Sequence, residues 1–288
     1  MSKSLATTIG FGAVLLWSLL ALLTVGSDPI PPFQLSAMAF LIGGLVGLGF
    51  SLKRGHLFRT LRSVPVLAWV LGIGGLFGYH ALYFSALRLA PAAEAGLIAY
   101  LWPLLIVIFS GLLPDEKLKP LHVLGAIVSF TGAALIVARG GAGFQWAYVP
   151  GYLLAVLCAL TWSGYSVVSR RFRAVPTEVV TFFCLATAIL SGLAHLIFEQ
   201  TVLPSGAITW LSIAGLGLGP VGLAFYLWDV GVKQGDIQLL GTASYAAPLF
   251  STCILIVAGY AQATAVLLLA AGLITAGAGL AALGSRKS

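Results

Sequence analysis

The sequence predicts an all-α membrane protein, with ten transmembrane helices arranged as two inverted five-helix repeats around a central cavity. Three observations predict it. Of 288 residues, 60% are hydrophobic and only 8% are charged, with a mean hydropathy of +1.05. The cationic residues sort to alternate connections between apolar runs. A set of rare residues recurs after 145 positions. A soluble domain carries about 45–50% apolar and about 25% charged residues. This chain lacks the charges to cover a water-facing surface, which argues against a soluble enzyme, a disordered chain or a nucleic-acid-binding domain. Its 35 glycines exceed the usual ~7% share and suit close helix packing in a bilayer.

A spanning helix needs about 20 mostly apolar residues. Ten such runs follow one another, at 5–25, 33–52, 66–88, 91–112, 120–138, 150–171, 177–198, 207–231, 237–258 and 262–284. The first is too long for the apolar region of a cleaved signal and lacks a small-residue exit, so it reads as a true span. Short polar or Pro/Gly breaks separate the runs. They include Gly26-Ser27-Asp28-Pro29, Lys53-Arg54-Gly55-His56, Pro114-Asp115-Glu116-Lys117 and Arg170-Arg171-Phe172-Arg173. None is long enough to hold a soluble domain.

With the N-terminus placed in the cytoplasm, 13 Lys and Arg fall inside and only Arg88 and Arg139 fall outside. Lys3, Lys53, Arg54, Arg59, Arg62, Lys117, Lys119, Arg170, Arg171, Arg173, Lys233, Arg286 and Lys287 make up the inner set. That bias puts both termini in the cytoplasm and agrees with an even number of spans. It also accounts for the net charge of +7 without a nucleic-acid partner.

At an offset of 145, Trp17-Ser18 falls on Trp162-Ser163, Pro31 on Pro176, Gly72 and Gly74 on Gly217 and Gly219, and Arg88 on Lys233. Tyr100 and Pro103 fall on Tyr245 and Pro248, and Gly132 on Gly277. The first repeat is expected over 1–143 and the second over 144–288. Five spans per half is an odd number, so the second half lies upside down relative to the first. Inverted repeats are a recurring construction of secondary transporters, with the substrate held near the midplane between the halves.

Pro103 and Pro248 lie near the centres of spans four and nine. An interior proline releases the carbonyl four residues earlier, here on Ala99 and Ser244. Two readings stand: kinks that curve the helices, or midplane acceptors and hinges facing a cavity. Trp17, Tyr79, His80, Tyr83, Tyr100, Trp162 and Tyr245 lie at or near span centres, away from the interfacial positions that ordinarily attract Trp and Tyr. Interhelical packing is one reading. A cavity that stacks a ligand ring or holds a cation over π faces is the other. His80 is the candidate for a substrate or proton contact, against a hydrogen bond to a neighbouring helix. Trp102, about 200° around a continuous helix from Tyr100, is expected to pack elsewhere. Glu94 reads as a carboxylate at a helix N-terminus, Asp229 as an i,i+4 partner of Lys233, and His195 as structural. Gly43/Gly47, Gly74/Gly78 and Gly215/Gly219 have the small-xxx-small spacing of close helix contacts.

Cys158, Cys184 and Cys253 sit in apolar runs and read as packing residues, with no metal site and no cofactor expected. There is no G-x-x-x-x-G-K-[ST] phosphate loop, no H-E-x-x-H and no nucleophile elbow, so no enzymatic reaction is expected.

Two inverted five-helix halves resemble the drug/metabolite transporter superfamily, EamA type. Glu94-Ala95-Gly96, Tyr100-Leu101-Trp102-Pro103, Trp228-Asp229-Val230-Gly231 with Gly235-Asp236, and Ser244-Tyr245 with Pro248 are similar to its aromatic amino-acid exporters. Asp229 departs from the pattern, where an uncharged polar residue is expected. The resemblance implies a ten-helix basket with a central cavity, exporting aromatic and other small neutral amino acids from the cytoplasm across a bacterial inner membrane; a monomer in the lipid bilayer is expected. Export of other metabolites or drugs on the same fold, or a passive channel, are the alternatives. The expected substrate contacts are Trp17, Tyr79, His80, Tyr83, Tyr100, Trp162, Ser244 and Tyr245, with Pro103 and Pro248 as hinges.

Overall fold

The computed structural model describes residues 1–54, 61, 64–137 and 145–286. His56, Arg59, Arg62, Arg139, Lys287 and the 143/144 division between the halves lie outside the described residues. Among the described residues, ten helices are long and apolar enough to cross a membrane: α1 (Lys3–Gly26), α2 (Pro32–Lys53), α3 (Val66–Leu89), α4 (Ala92–Ser110), α5 (Pro120–Val137), α6 (Trp146–Phe172), α7 (Thr177–Phe198), α8 (Gly206–Gln234), α9 (Ile237–Val257) and α10 (Ala265–Ser285). All ends fall within about four residues of the sequence expectation.

Several spans are interrupted, and most of the interruptions repeat. α3 contains a π-helical turn at Gly74–Gly78, and α8 contains one at Gly219–Leu223. These are equivalent positions in the two halves. α4 divides into α4a (Ala92–Ala99) and α4b (Trp102–Ser110), and α9 into α9a (Ile237–Ala243) and α9b (Ala246–Val257). α1 is also interrupted, after Trp17, whereas its equivalent α6 stays helical from Val149 to Ser169.

The pairing of helices follows the repeat. α1 packs on α8, and the equivalent α6 packs on α3. α2 packs on α7 and α5 on α10, so these contacts join equivalent helices across the pseudo-two-fold axis. The Ser129 hydroxyl donates to the Ile274 carbonyl at 3.3 Å, a bond between positions 145 apart. Lipid tails are as apolar as leucine, so contact quality rather than hydrophobicity drives this association. The α1/α8 crossing brings two glycine backbones into direct contact. A Cβ on Gly231 would sit 2.5 Å from the Gly10 Cα, and one on Gly10 would sit 2.7 Å from the Gly231 Cα. At the equivalent α6/α3 crossing, Ala155 and Ala86 are both fully buried, so those backbones stand far enough apart to admit methyl groups.

At the cation-poor end, Glu199 ties three helices together. Its buried carboxylate accepts the Phe33 and Gln34 N–H groups, each at 3.1 Å, at the N-terminus of α2. It also pairs with Arg88 at 2.8 Å and with the His195 ring at 3.0 Å. The Gln34 side chain bonds both the N–H and the carbonyl of Val202. His195 is therefore part of a structural clasp between α7, α2 and α3. A carboxylate is favoured at a helix N-terminus by the unpaired N–H groups there.

The Gly10/Gly231 contact yields a direct test. Gly231→Ala forces α1 and α8 apart, and overpacking of this kind costs about 1–3 kcal/mol. Thermal unfolding of the detergent-solubilised protein should show a lowered midpoint. An unchanged midpoint would mean that the crossing relaxes without loss.

Candidate functional site

The aromatic residues expected near mid-span come together at the interface of the two halves. The Trp17 ring lies 5.8 Å from Trp162, 6.0 Å from Trp102 and 5.0 Å from Trp228. Tyr79 stacks on Tyr83 with centroids 6.1 Å apart and tilts against Trp162 at 5.4 Å. Tyr100 and Tyr245 are 6.5 Å apart. His80 stands edge-on to Phe40 at 5.0 Å, and Phe40 stacks on Phe225 at 5.5 Å. Offset and edge-to-face arrangements such as these suit the ring quadrupoles.

The repeat organises this cluster in pairs: Trp17 with Trp162, His80 with Phe225, Tyr83 with Trp228, and Tyr100 with Tyr245. In each pair the first-repeat residue keeps accessible surface and its second-repeat equivalent is buried. The four first-repeat rings are half-buried, and the four second-repeat rings are packed inside the bundle. Two cavities lie off this centre. One of about 610 Å³ opens sideways between α1, α8 and α9, and one of about 320 Å³ lies between α2, α7 and α8. Neither is lined by any of the eight expected contact residues.

Local hydrogen bonds fix several of these side chains. The Trp17 indole N–H donates to the Pro220 carbonyl at 3.1 Å, inside the α8 π turn. The Trp228 indole N–H donates to the Ser166 hydroxyl at 3.0 Å. His80 Nδ1 donates to the Leu76 carbonyl one turn earlier, at 2.7 Å. Its bond is thus within α3, not to a neighbouring helix. That tautomer leaves Nε2 as an acceptor.

The prolines act differently from the sequence expectation. Each helix breaks before its proline, at Tyr100–Leu101 and Ser244–Tyr245, so Pro103 and Pro248 sit in the first turn of α4b and α9b. There a missing N–H leaves no intrahelical bond unmade. The carbonyl of Ser244 is not free, because it accepts the Ala247 N–H at 3.1 Å. The Ser244 hydroxyl is also engaged, donating to the Leu240 carbonyl at 2.7 Å. The group repaired across the interface is instead an N–H: Leu104 donates to the Tyr245 hydroxyl at 3.0 Å. Tyr245 therefore joins the two half-helix breaks.

Trp102 was expected to pack away from Tyr100. It lies 6.5 Å from Tyr100 and contacts Trp17, Trp162 and Trp228. The 200° argument assumes a continuous helix, and the break at Tyr100–Leu101 resets the phase. Trp228, Phe225 and Phe40 also belong to the cluster, although none is among the expected substrate contacts and Trp228 enters the sequence reading only within the run that carries the resemblance. The 145-residue offset carries the signal for two of them, since it maps Tyr83 onto Trp228 and His80 onto Phe225.

The two ends of the interface are unlike. At the cation-rich end, α4b packs directly on α9a. A Cβ on Gly241 would lie 3.0 Å from Val107 Cγ2 and 3.1 Å from the Pro103 carbonyl. The equivalent pair, α4a and α9b, barely touch. Gly96, the counterpart of Gly241, would meet only Val137 at 3.6 Å. The interface is thus shut at the cation-rich end and parted at the other.

Charged groups cluster at the shut end. Asp229 pairs with Lys233 at 2.9 Å, as its spacing predicts, and also accepts the Thr177 hydroxyl at 2.7 Å. Asp236 caps α9a through the Leu239 N–H at 2.9 Å and pairs with Lys3 at 3.3 Å. Burial raises the Asp236 carboxyl, but the Leu239 N–H and the Lys3 charge outweigh it and hold the group below the ordinary carboxylate range. Glu94 is buried in the first turn of α4a, 3.5 Å from the Tyr152 hydroxyl.

A bundle of ten apolar helices with broken, repeat-related spans around an aromatic centre is the architecture of a secondary transporter. The EamA-like transporter family model matches residues 5–138 and again residues 149–283, and the chain belongs to that family. It is a multi-pass membrane transporter, not an enzyme. It is 56% identical to the aromatic amino acid exporter YddG of Ancylobacter novellus over the full length of both chains. It is 28% identical to the aromatic amino acid exporter YddG of Salmonella typhimurium over 88% of each chain. A solved structure superposes with a TM-score of 0.94 at 56% identity, covering 99% of this chain and all of that one.

Tyr245→Phe removes the acceptor of the Leu104 N–H and leaves that group unpaired inside the bundle. An unmet buried donor costs about 1–3 kcal/mol. The variant should unfold at lower temperature and should show faster amide exchange at Leu104. Equal exchange in both proteins would show that Leu104 finds another partner.

Proposed function

We propose that this chain exports aromatic and other small neutral amino acids from the cytoplasm by alternating access. The observation that carries the reading is the paired aromatic cluster, with Trp17, His80, Tyr83 and Tyr100 accessible and their repeat equivalents buried. The accessible rings offer stacking faces to an aromatic side chain and π faces to its ammonium group. The hydroxyls of Tyr79, Tyr83 and Tyr100 supply donors and acceptors for the zwitterion. The relatives named as aromatic amino acid exporters support the same substrate class.

The halves 1–143 and 144–288 act as the two exchanging units. Pro103 and Pro248 start the mobile half-helices, which pivot at Tyr100–Leu101 and Ser244–Tyr245. Trp17, Tyr79, His80, Tyr83, Tyr100 and Trp162 are the contact residues, while Ser244 and Tyr245 hold the α9 break in shape. The resemblance to bacterial exporters supports an inner-membrane location, and the cation bias supports cytoplasmic termini. It acts as a monomer, without cofactor or nucleic acid.

Counterflow in proteoliposomes tests the substrate. Unlabelled phenylalanine or tryptophan on one side should accelerate labelled uptake from the other, which a pore would not do. Tyr100→Ala should weaken aromatic substrates by up to about tenfold, the scale of one lost stacking contact. Pro103→Ala and Pro248→Ala should insert normally and transport more slowly. Wild-type flux in all three variants, or no trans-stimulation by any aromatic amino acid, would defeat the proposal.

Orientation has its own test. Single cysteines placed by Ser2→Cys and Asp28→Cys should react with an impermeant maleimide from opposite sides of the membrane. Reaction from the same side would refute the assignment of the termini.

A further inference from the structure

Arg170 stands at the end of α6, on the cation-rich side, and its side chain is buried. Its guanidinium forms an ion pair with Glu116, which lies on the connection following α4b. Its Nη1 also donates to two carbonyls at the end of α8: Val232 at 2.8 Å and Gly235 at 2.9 Å. Gly235 immediately precedes Asp236, the cap of α9a. One side chain thus bridges the chain leaving α4b and the chain entering α9a, the two half-helices that shut this end.

We infer that Arg170 is the latch of the cytoplasmic gate, a residue whose three-way bond must break in each cycle for the inner end to open. The inference rests on the alternating-access reading above. When α4b and α9a separate, a single guanidinium cannot follow both, because hydrogen bonds fail beyond about 3.5 Å. Arg170 Nε and the Gln238 side-chain nitrogen on α9a are both buried, with no hydrogen-bond partner among the described residues.

The two gates are built from different chemistry. The repeat equivalents of Arg170 and Glu116 are Val25 and Ala261, so the opposite end has no such ionic bridge in the same place. Its α4a/α9b pair offers the smooth surface of Gly96 where the inner gate has Gly241. The inner gate is therefore the one whose strength one charged side chain sets, and weakening it biases the protein toward the inward-open state.

Two cysteine reporters read this without any substrate, in a background lacking Cys158, Cys184 and Cys253. Val107→Cys lies in the α4b/α9a contact and Tyr83→Cys lies on the accessible side of the cluster. Arg170→Ala should speed reaction of the Val107→Cys reporter with an impermeant maleimide from the cytoplasmic side by roughly tenfold, as expected for a lost charge-assisted bond. The Tyr83→Cys reporter should slow from the periplasmic side over the same comparison. Glu116→Gln keeps the carbonyl bonds and should move both rates in the same directions by about threefold; it carries the test if Arg170→Ala does not fold. Unchanged rates overturn the latch, and so does acceleration of both reporters, which marks loosening of the whole bundle. Reciprocal labelling in a protein that fails counterflow would sink the substrate assignment and leave the latch standing.

Discussion

The structure depends on one constraint: inside a bilayer, backbone polar groups find no water and must be paired by protein. A transporter needs helices that bend, and each bend exposes such groups. This chain meets the conflict by placing interruptions where the opposite half supplies a partner. The Leu104 N–H, at the start of α4b, is met by the Tyr245 hydroxyl at the α9 break. The Pro220 carbonyl, in the α8 π turn, is met by the indole of Trp17. The residues that border the aromatic centre are thus also those that make its irregular backbone tolerable.

The same requirement explains the uneven use of charge. At the two ends of the bundle, carboxylates and cations are spent on helix termini and on links between helices. Glu199 gathers α2, α3 and α7 at one end, and Arg170 gathers the links of α4, α8 and α9 at the other. Between them the centre is made of rings, hydroxyls and one imidazole. Such a centre can solvate a zwitterion through π faces and hydroxyls without holding a fixed charge that would trap it.

A near-symmetric sequence here adopts an asymmetric fold state. Gly96 and Gly241 are equivalent in sequence, yet only Gly241 is packed by a facing half-helix. Tyr83 and Trp228 are equivalent, yet only Tyr83 is accessible. Of the two interfaces built from matching half-helices, one is packed and the other is parted. On the alternating-access reading, exchanging the conformations of the two halves yields the second state without a second set of contacts.

Much of this was legible in the chain itself. Apolar run length located all ten spans, because the bilayer fixes helix length. The Trp17/Trp162 and Tyr100/Tyr245 coincidences exposed the repeat, and an odd span count per half made it inverted. The mid-span aromatics could be named because interfacial anchoring does not explain them. Three features needed the tertiary structure. The position of Trp102 required knowing that α4 breaks before Pro103, since a helical wheel has no phase across a break. The engagement of the Ser244 carbonyl depended on Ala247 closing a tighter turn. Which end is shut needed the tertiary structure, because neither run length nor the 145-residue offset shows that Gly241 packs on Val107 or that Arg170 reaches Glu116 and the end of α8.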